Sequence, residues 1–204
     1  MSAPTIPAPE QPPLAEAETP GKQAEGQERT LVSLLPTDNA RVFVFVAAAA
    51  LVVGSFAKYG FSGQALLGAV FCPTLVLLAV VDIKHRLLPN MIILPASLAV
   101  GLIVAASAPG SFLSHLAAGA ALGGFFFIFG AVFPGSIGMG DAKLGFLLGL
   151  ALGAKTLGAT LIAFAGLLVG ALYVLATRGI SSRKDSIPFG PFLALGGILG
   201  FFLG

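Results

Sequence analysis

The chain has no tryptophan, one cysteine, two histidines and only 10% charged residues among its 204. Each scarcity excludes something. Cys72, alone and inside an apolar run, rules out an intramolecular disulfide and any cysteine-based zinc cluster. There is no His-Glu-x-x-His for a zinc protease and no plausible serine or cysteine triad. So few charges, beside 56% hydrophobic residues and a mean hydropathy of +0.97, do not describe a soluble globular domain. The composition predicts an integral membrane protein of the all-α class, a polytopic bundle of transmembrane helices in the lipid bilayer. No Lys/Arg stripe with interleaved aromatics forms a phosphate-tracking surface, so no nucleic-acid partner is expected.

Acid is scarcer still beyond the first segment. Residues 1–38 hold six of the nine acids and two of the eleven bases, a net of −4, which leaves +6 for residues 39–204. Proline at 4, 7, 9, 12, 13, 20 and 36 adds to the low hydrophobicity of this segment, whose apolar surface cannot offset the entropy of ordering it. It is predicted to be a disordered cytoplasmic tail, followed by a membrane domain over 39–204. A signal peptide would begin with a basic region and a short apolar stretch, so the first apolar run is expected to be a retained span.

From Arg41 onward apolar runs alternate with short polar breaks, and the candidate spans are 41–57, 65–81, 91–106, 116–133, 144–154, 157–177 and 189–204. The stretch 144–177 would extend roughly 51 Å as one helix, too long for a roughly 30 Å hydrocarbon core, so a break is expected at Ala154-Lys155-Thr156. The shortened helix before that break is expected to begin inside the preceding loop or to tilt less than its neighbours. About seven spans put Arg41, Lys84, Arg86, Lys143, Arg178, Arg183 and Lys184 on one side, with Lys58 and Lys155 on the other. The positive-inside bias then makes the first side, and the N-terminus, cytoplasmic. Glycines spaced by four (Gly119 and Gly123; Gly145, Gly149 and Gly153; Gly196, Gly200 and Gly204) read as close helix packing.

Beyond residue 38 only Asp82, Asp141 and Asp185 are acidic. Ionisable groups at membrane depth are costly and tend to mark function. Asp82 closes one apolar run and opens Asp82-Ile83-Lys84-His85-Arg86-Leu87-Leu88-Pro89-Asn90; Asp141 ends Gly138-Met139-Gly140-Asp141 just before another. The expected topology puts both at cytoplasmic span ends, where two carboxylates that meet can share a proton and activate a water. Either aspartate alone fits equally well as an interface residue paired with a nearby base. The glycines tip the reading toward chemistry, because they let a backbone approach closely beside the carboxylate. Lys143 either acts on Asp141 or substrate or is a positive-inside anchor. His85 reads as a bystander, His115 has no role to argue, and Asp185, beside Arg183 and Lys184, reads as a solvated loop residue.

Three separated motifs together resemble the short bacterial type IV prepilin peptidases, intramembrane aspartic proteases of the Gly-x-Gly-Asp type. They are Asp82 through Pro89-Asn90, Gly138-Met139-Gly140-Asp141-Ala142-Lys143, and Ile187-Pro188-Phe189-Gly190-Pro191-Phe192-Leu193-Ala194-Leu195-Gly196. The resemblance spans residues 65–200. It implies a hydrolase of the bacterial inner (plasma) membrane that cuts the short basic leader from pilin or pseudopilin precursors, after a glycine at the cytoplasmic face. Asp82 and Asp141 inherit the catalytic roles, and Gly138, Gly140, Lys143, Pro89, Asn90, Gly190 and Pro191 become candidates for shaping the site or binding substrate. Neither metal nor other cofactor is implied. Long members carry an N-terminal region with paired CxxC motifs and also methylate the new N-terminus; this chain has only Cys72 in all and an acidic segment in that place, so peptidase activity alone is expected. A rival reading is a non-catalytic transporter or pilus or secretion assembly factor that uses the same aspartates. Presenilin-like proteases also use Gly-x-Gly-Asp, but their Tyr-Asp pair and Pro-Ala-Leu motif are missing.

Overall fold

The computed structural model describes residues 38–86, 88–133, 138–178 and 188–204. Among them there is no strand. Seven α-helices follow one another: α1 Asp38–Tyr59, α2 Gly63–His85, α3 Asn90–Ser107, α4 Phe112–Val132, α5 Met139–Leu152, α6 Thr156–Arg178 and α7 Gly190–Leu203. The expected tail and Asp185 lie outside the described residues.

One helix stands where each apolar run predicted one. The break between the fifth and sixth is a single 3-10 turn, Gly153–Lys155, in which Gly153 takes φ +56°, a backbone that favours glycine. As expected, α5 begins in the loop before its apolar run, at Met139 rather than 144. Five segments are long and apolar enough to cross a membrane, 139–177 counting as one, and α7 is a shorter apolar helix.

The helices are apolar on nearly every side, which suits a bundle surrounded by lipid. Phe43, Val46, Leu98, Leu102, Leu161 and Leu172 stand exposed on its outside. Inside, Phe71, Leu75 and Leu78 of α2 meet Leu144, Leu147 and Leu148 of α5 and Leu193 and Phe201 of α7 in one core. Helix α2 is the centre, packing on α1, α3 and α7, while α5 packs on α3, α4 and α7. Helix hydroxyls bond back to their own chain, as Ser55 does to the Leu51 carbonyl at 2.8 Å and Thr160 to the Thr156 carbonyl at 2.8 Å.

The glycine expectation holds. A Cβ placed on Gly149 would lie 2.4 Å from the Gly119 Cα, so α4 and α5 touch backbone to backbone, and one on Gly196 would meet the Ala159 carbonyl oxygen of α6 at 2.4 Å. At one end of the bundle the Lys58 ammonium and the Tyr59 hydroxyl donate to the carbonyls of Phe202 and Phe201, which closes the last turn of α7. His115, for which the sequence offered no role, has Nδ1 2.9 Å from the Leu150 carbonyl and ties α4 to α5 near this end. The two aspartates lie at the other.

Candidate active site

Asp82 sits in the last turn of α2. That helix ends at Arg86, which adopts φ 51° and ψ 34° and donates its N–H to the Asp82 carbonyl at 2.8 Å. A left-handed residue closing a helix turns the chain sharply, here into the short link to α3. Asp82 is 7% exposed, the one charged side chain among the buried described residues. Burying a carboxylate requires a donor, and it comes from the third motif: the Gly190 N–H, at the first turn of α7, donates to Asp82 Oδ2 at 3.0 Å. The start of a helix presents unpaired N–H groups and the positive end of its dipole, a favourable place for an anion.

Glycine is required there by space. A Cβ on residue 190 would lie 2.6 Å from Asp82 Oδ2 and 3.0 Å from its Cγ. Pro191, next in the chain, has no N–H to leave unsatisfied in this first turn.

Asp141 occupies the third position of α5. Gly138 is the N-cap, with φ −78° and ψ 151°; it donates its N–H to Asp141 Oδ2 at 3.1 Å, and the Asp141 N–H returns to the Gly138 carbonyl at 3.0 Å. This is the reach-back half of a capping box, the half available when the cap residue lacks a hydroxyl. Each aspartate thus rests one carboxylate oxygen, Oδ2, on the backbone amide of a motif glycine. They stand at the same end of the bundle, where Leu88, in the link that follows Asp82, packs on Gly140, next to Asp141.

Residues of the first and second motifs meet close by. Pro89 is the extended N-cap of α3, and Asn90, the first residue of that helix, accepts a hydrogen bond from the Lys143 ammonium at 2.6 Å through Oδ1. Leu88 rests on Gly140, where a Cβ would come within 2.7 Å of the leucine Cβ. Leu88 is the residue that sequence reasoning missed; its only signal was its place within the first motif. His85 lies in the last turn of α2, its Nε2 buried and without a hydrogen-bond partner among the described residues. No group of three or more His, Cys, Asp or Glu able to hold a metal occurs among the described residues. An apolar cavity of about 430 Å³ opens between α3, α4 and α5 on the Lys143 side of α5, lined by Ile93, Leu94, Phe127, Met139, Lys143 and Phe146 among others, and neither aspartate lines it.

Chemically, two carboxylates that come together, each anchored through one oxygen, can hold a water between them. One takes a proton from it as its oxygen attacks a carbonyl carbon, and the other donates a proton to the carbonyl oxygen.

Residues 69–175 match the type IV leader peptidase family, and they include both aspartates. The chain is 35% identical over 163 residues to a prepilin leader peptidase/N-methyltransferase of Bacillus subtilis (strain 168), an alignment covering 76% of this chain and 63% of that protein. It is 35% identical over 169 residues to a protein of the same description from Burkholderia pseudomallei (strain 1026b), covering 78% of this chain and 53% of the relative. The chain therefore spans between about half and two-thirds of the length of these relatives. No solved structure matches it significantly.

Proposed function

Because the chain belongs to the type IV leader peptidase family, we propose that it is a membrane aspartic endopeptidase that removes the basic leader from type IV pilin or pseudopilin precursors. The observation that supports this reading is that Asp82 and Asp141, each held by the amide of a motif glycine, stand at the same end of the bundle. In the proposed reaction the ionised carboxylate accepts a proton from water, and the resulting hydroxide bonds to the carbonyl carbon of the leader glycine. The protonated carboxyl gives its proton to the carbonyl oxygen. Collapse of the tetrahedral intermediate breaks the C–N bond, and the amine leaves with a proton taken from the dyad. The relatives' names pair this activity with methylation; the proposal covers the peptidase step, the one that two aspartates can perform.

We place the site at the cytoplasmic face of the bacterial plasma membrane. Lys84, Arg86 and Lys143 stand at the aspartate end of the bundle, and Lys58 and Lys155 belong to the other, which supports that orientation. The transporter reading is not favoured, since both carboxylates terminate helices beside basic residues rather than facing mid-span.

The test is leader cleavage in membranes, with precursor and mature pilin separated by size. Asp82→Asn and Asp141→Asn are nearly isosteric and leave insertion and abundance intact, but each should abolish processing, a loss of about 10² to 10⁴ or more. Near-normal processing by either variant would reject the dyad.

A further inference from the structure

Lys143 follows Asp141 by two residues, and two residues advance an α-helix by about 200°. The ammonium and the carboxylate therefore leave α5 on different sides. Lys143 is directed instead at Asn90, its Nζ 2.6 Å from Oδ1. An ammonium only donates, so the amide oxygen of Asn90 must face it. Two residues before Asn90, Leu88 covers Gly140 so closely that no side chain fits there. The link following Asp82 thus grips the second motif on both sides of Asp141, at Gly140 before it and at Lys143 after it.

The arrangement closes a short circuit between the carboxylates. Asp82 ends α2 and Asp141 begins α5, and α3 packs against both helices. Asn90 opens α3 only eight residues after Asp82 in the sequence, so fastening it to α5 fixes the start of α3, and with it the end of α2, against the turn that carries Asp141.

We infer that the Asn90–Lys143 hydrogen bond, together with Leu88 seated on Gly140, is a latch that sets the spacing of Asp82 and Asp141, making Lys143 and Asn90 positioning residues of the dyad. Lys143 on this account neither binds the leader nor serves chiefly as a charge anchor. The inference rests on the peptidase reading for its kinetic consequence, whereas the bond itself is testable without activity.

The experiment compares Lys143→Met, Asn90→Leu and the double variant in the full chain, by kcat and KM for leader cleavage and by the thermal unfolding midpoint of the purified protein. Misplacing a catalytic group by about 1 Å can cost about 10²-fold, so each single variant is expected to lose roughly 10- to 100-fold in kcat with KM within about threefold. The double variant should be no worse than the weaker single, in both kcat and midpoint, because one bond is lost only once. Lys143→Arg and Asn90→Asp, which keep a donor facing an oxygen, should recover most of kcat. Additive losses would overturn the latch, as would a raised KM for Lys143→Met with Asn90→Leu silent, the signature of a substrate contact. If the unaltered protein does not cleave, the peptidase reading fails and the midpoints alone decide: non-additive shifts support the latch and additive ones reject it.

Discussion

The motif glycines look alike in the sequence, yet the structure ranks them, and replacing each by alanine turns that ranking into a measurement. At Gly190 the added methyl would sit 2.6 Å from Asp82 Oδ2 and 3.1 Å from its Cβ. Contacts that short do not persist, so the carboxylate must withdraw by roughly half an ångström or more, a displacement set by ordinary carbon–oxygen contact distances. Withdrawal stretches the 3.0 Å bond from the Gly190 amide, which is the donor that accompanies Asp82 into its buried position. Leaving a buried acceptor unsatisfied costs about 1 to 3 kcal/mol, and moving a catalytic group by up to 1 Å costs up to about 10²-fold in rate. Gly190→Ala should therefore lose about 10- to 100-fold in cleavage rate while still inserting. Gly140→Ala should fall in the same range through displacement of Leu88, since its methyl would meet the leucine Cβ at 2.7 Å. At Gly138 the nearest atom is Asp141 Oδ2 at 3.4 Å, an ordinary contact, and φ −78° suits alanine, so the loss should stay within about threefold. Gly158→Ala, with open space around it, is the control. The assay is the initial rate of leader removal at matched enzyme abundance. Wild-type rates for Gly190→Ala, or a larger loss at Gly138 than at Gly190, would refute the account of how Asp82 is held.

Three further outcomes are expected. Gly149→Ala would drive its methyl to within 2.5 Å of the α4 backbone, so it should destabilise the bundle by about 1 to 3 kcal/mol and lower the thermal midpoint in detergent. Cysteines replacing Lys84 and Lys155 should react with a membrane-impermeant maleimide from the cytoplasmic and external sides respectively; Cys72, fully buried, should stay silent, and labelling of both from one side would refute the orientation. A chain shortened to begin near Asn39 should still insert and cleave a precursor, and loss of cleavage with normal insertion would assign the acidic segment a part in recruiting substrate.

The helices were legible because lipid imposes a simple rule: each apolar run between polar breaks must satisfy its own backbone, so it becomes a helix. The break at Ala154-Lys155-Thr156 was legible on length alone. Asp82 and Asp141 stood out because a carboxylate in so apolar a chain is rare, and the glycines beside Asp141 marked the second motif. What each glycine does was not legible. Gly190 lies 108 residues from the carboxylate it serves, and nothing local reveals that its amide donates there or that its hydrogen faces Asp82. Lys143 was ambiguous for the same reason, since the residue that settles its direction, Asn90, belongs to another helix. Leu88 is an ordinary leucine until Gly140 is laid against it.

The brevity of α5 sets how deep the chemistry lies. Fourteen residues rise about 21 Å, about 9 Å less than the hydrocarbon thickness of a bilayer. With Lys155, just beyond its C-terminal end, at the level of one headgroup layer, the opposite tip of α5 falls short of the other layer by that difference. On the proposed orientation Asp141, on the first turn, would then lie below the headgroups rather than level with them. On the proposed reading a peptide bond brought to it would have to descend past the headgroups in an extended strand, because a helix some 10 Å across keeps its own carbonyls engaged. On the proposed peptidase reading, depth would act as a filter: segments that can locally unwind would reach Asp141, and fully helical membrane spans of neighbouring proteins would pass uncut.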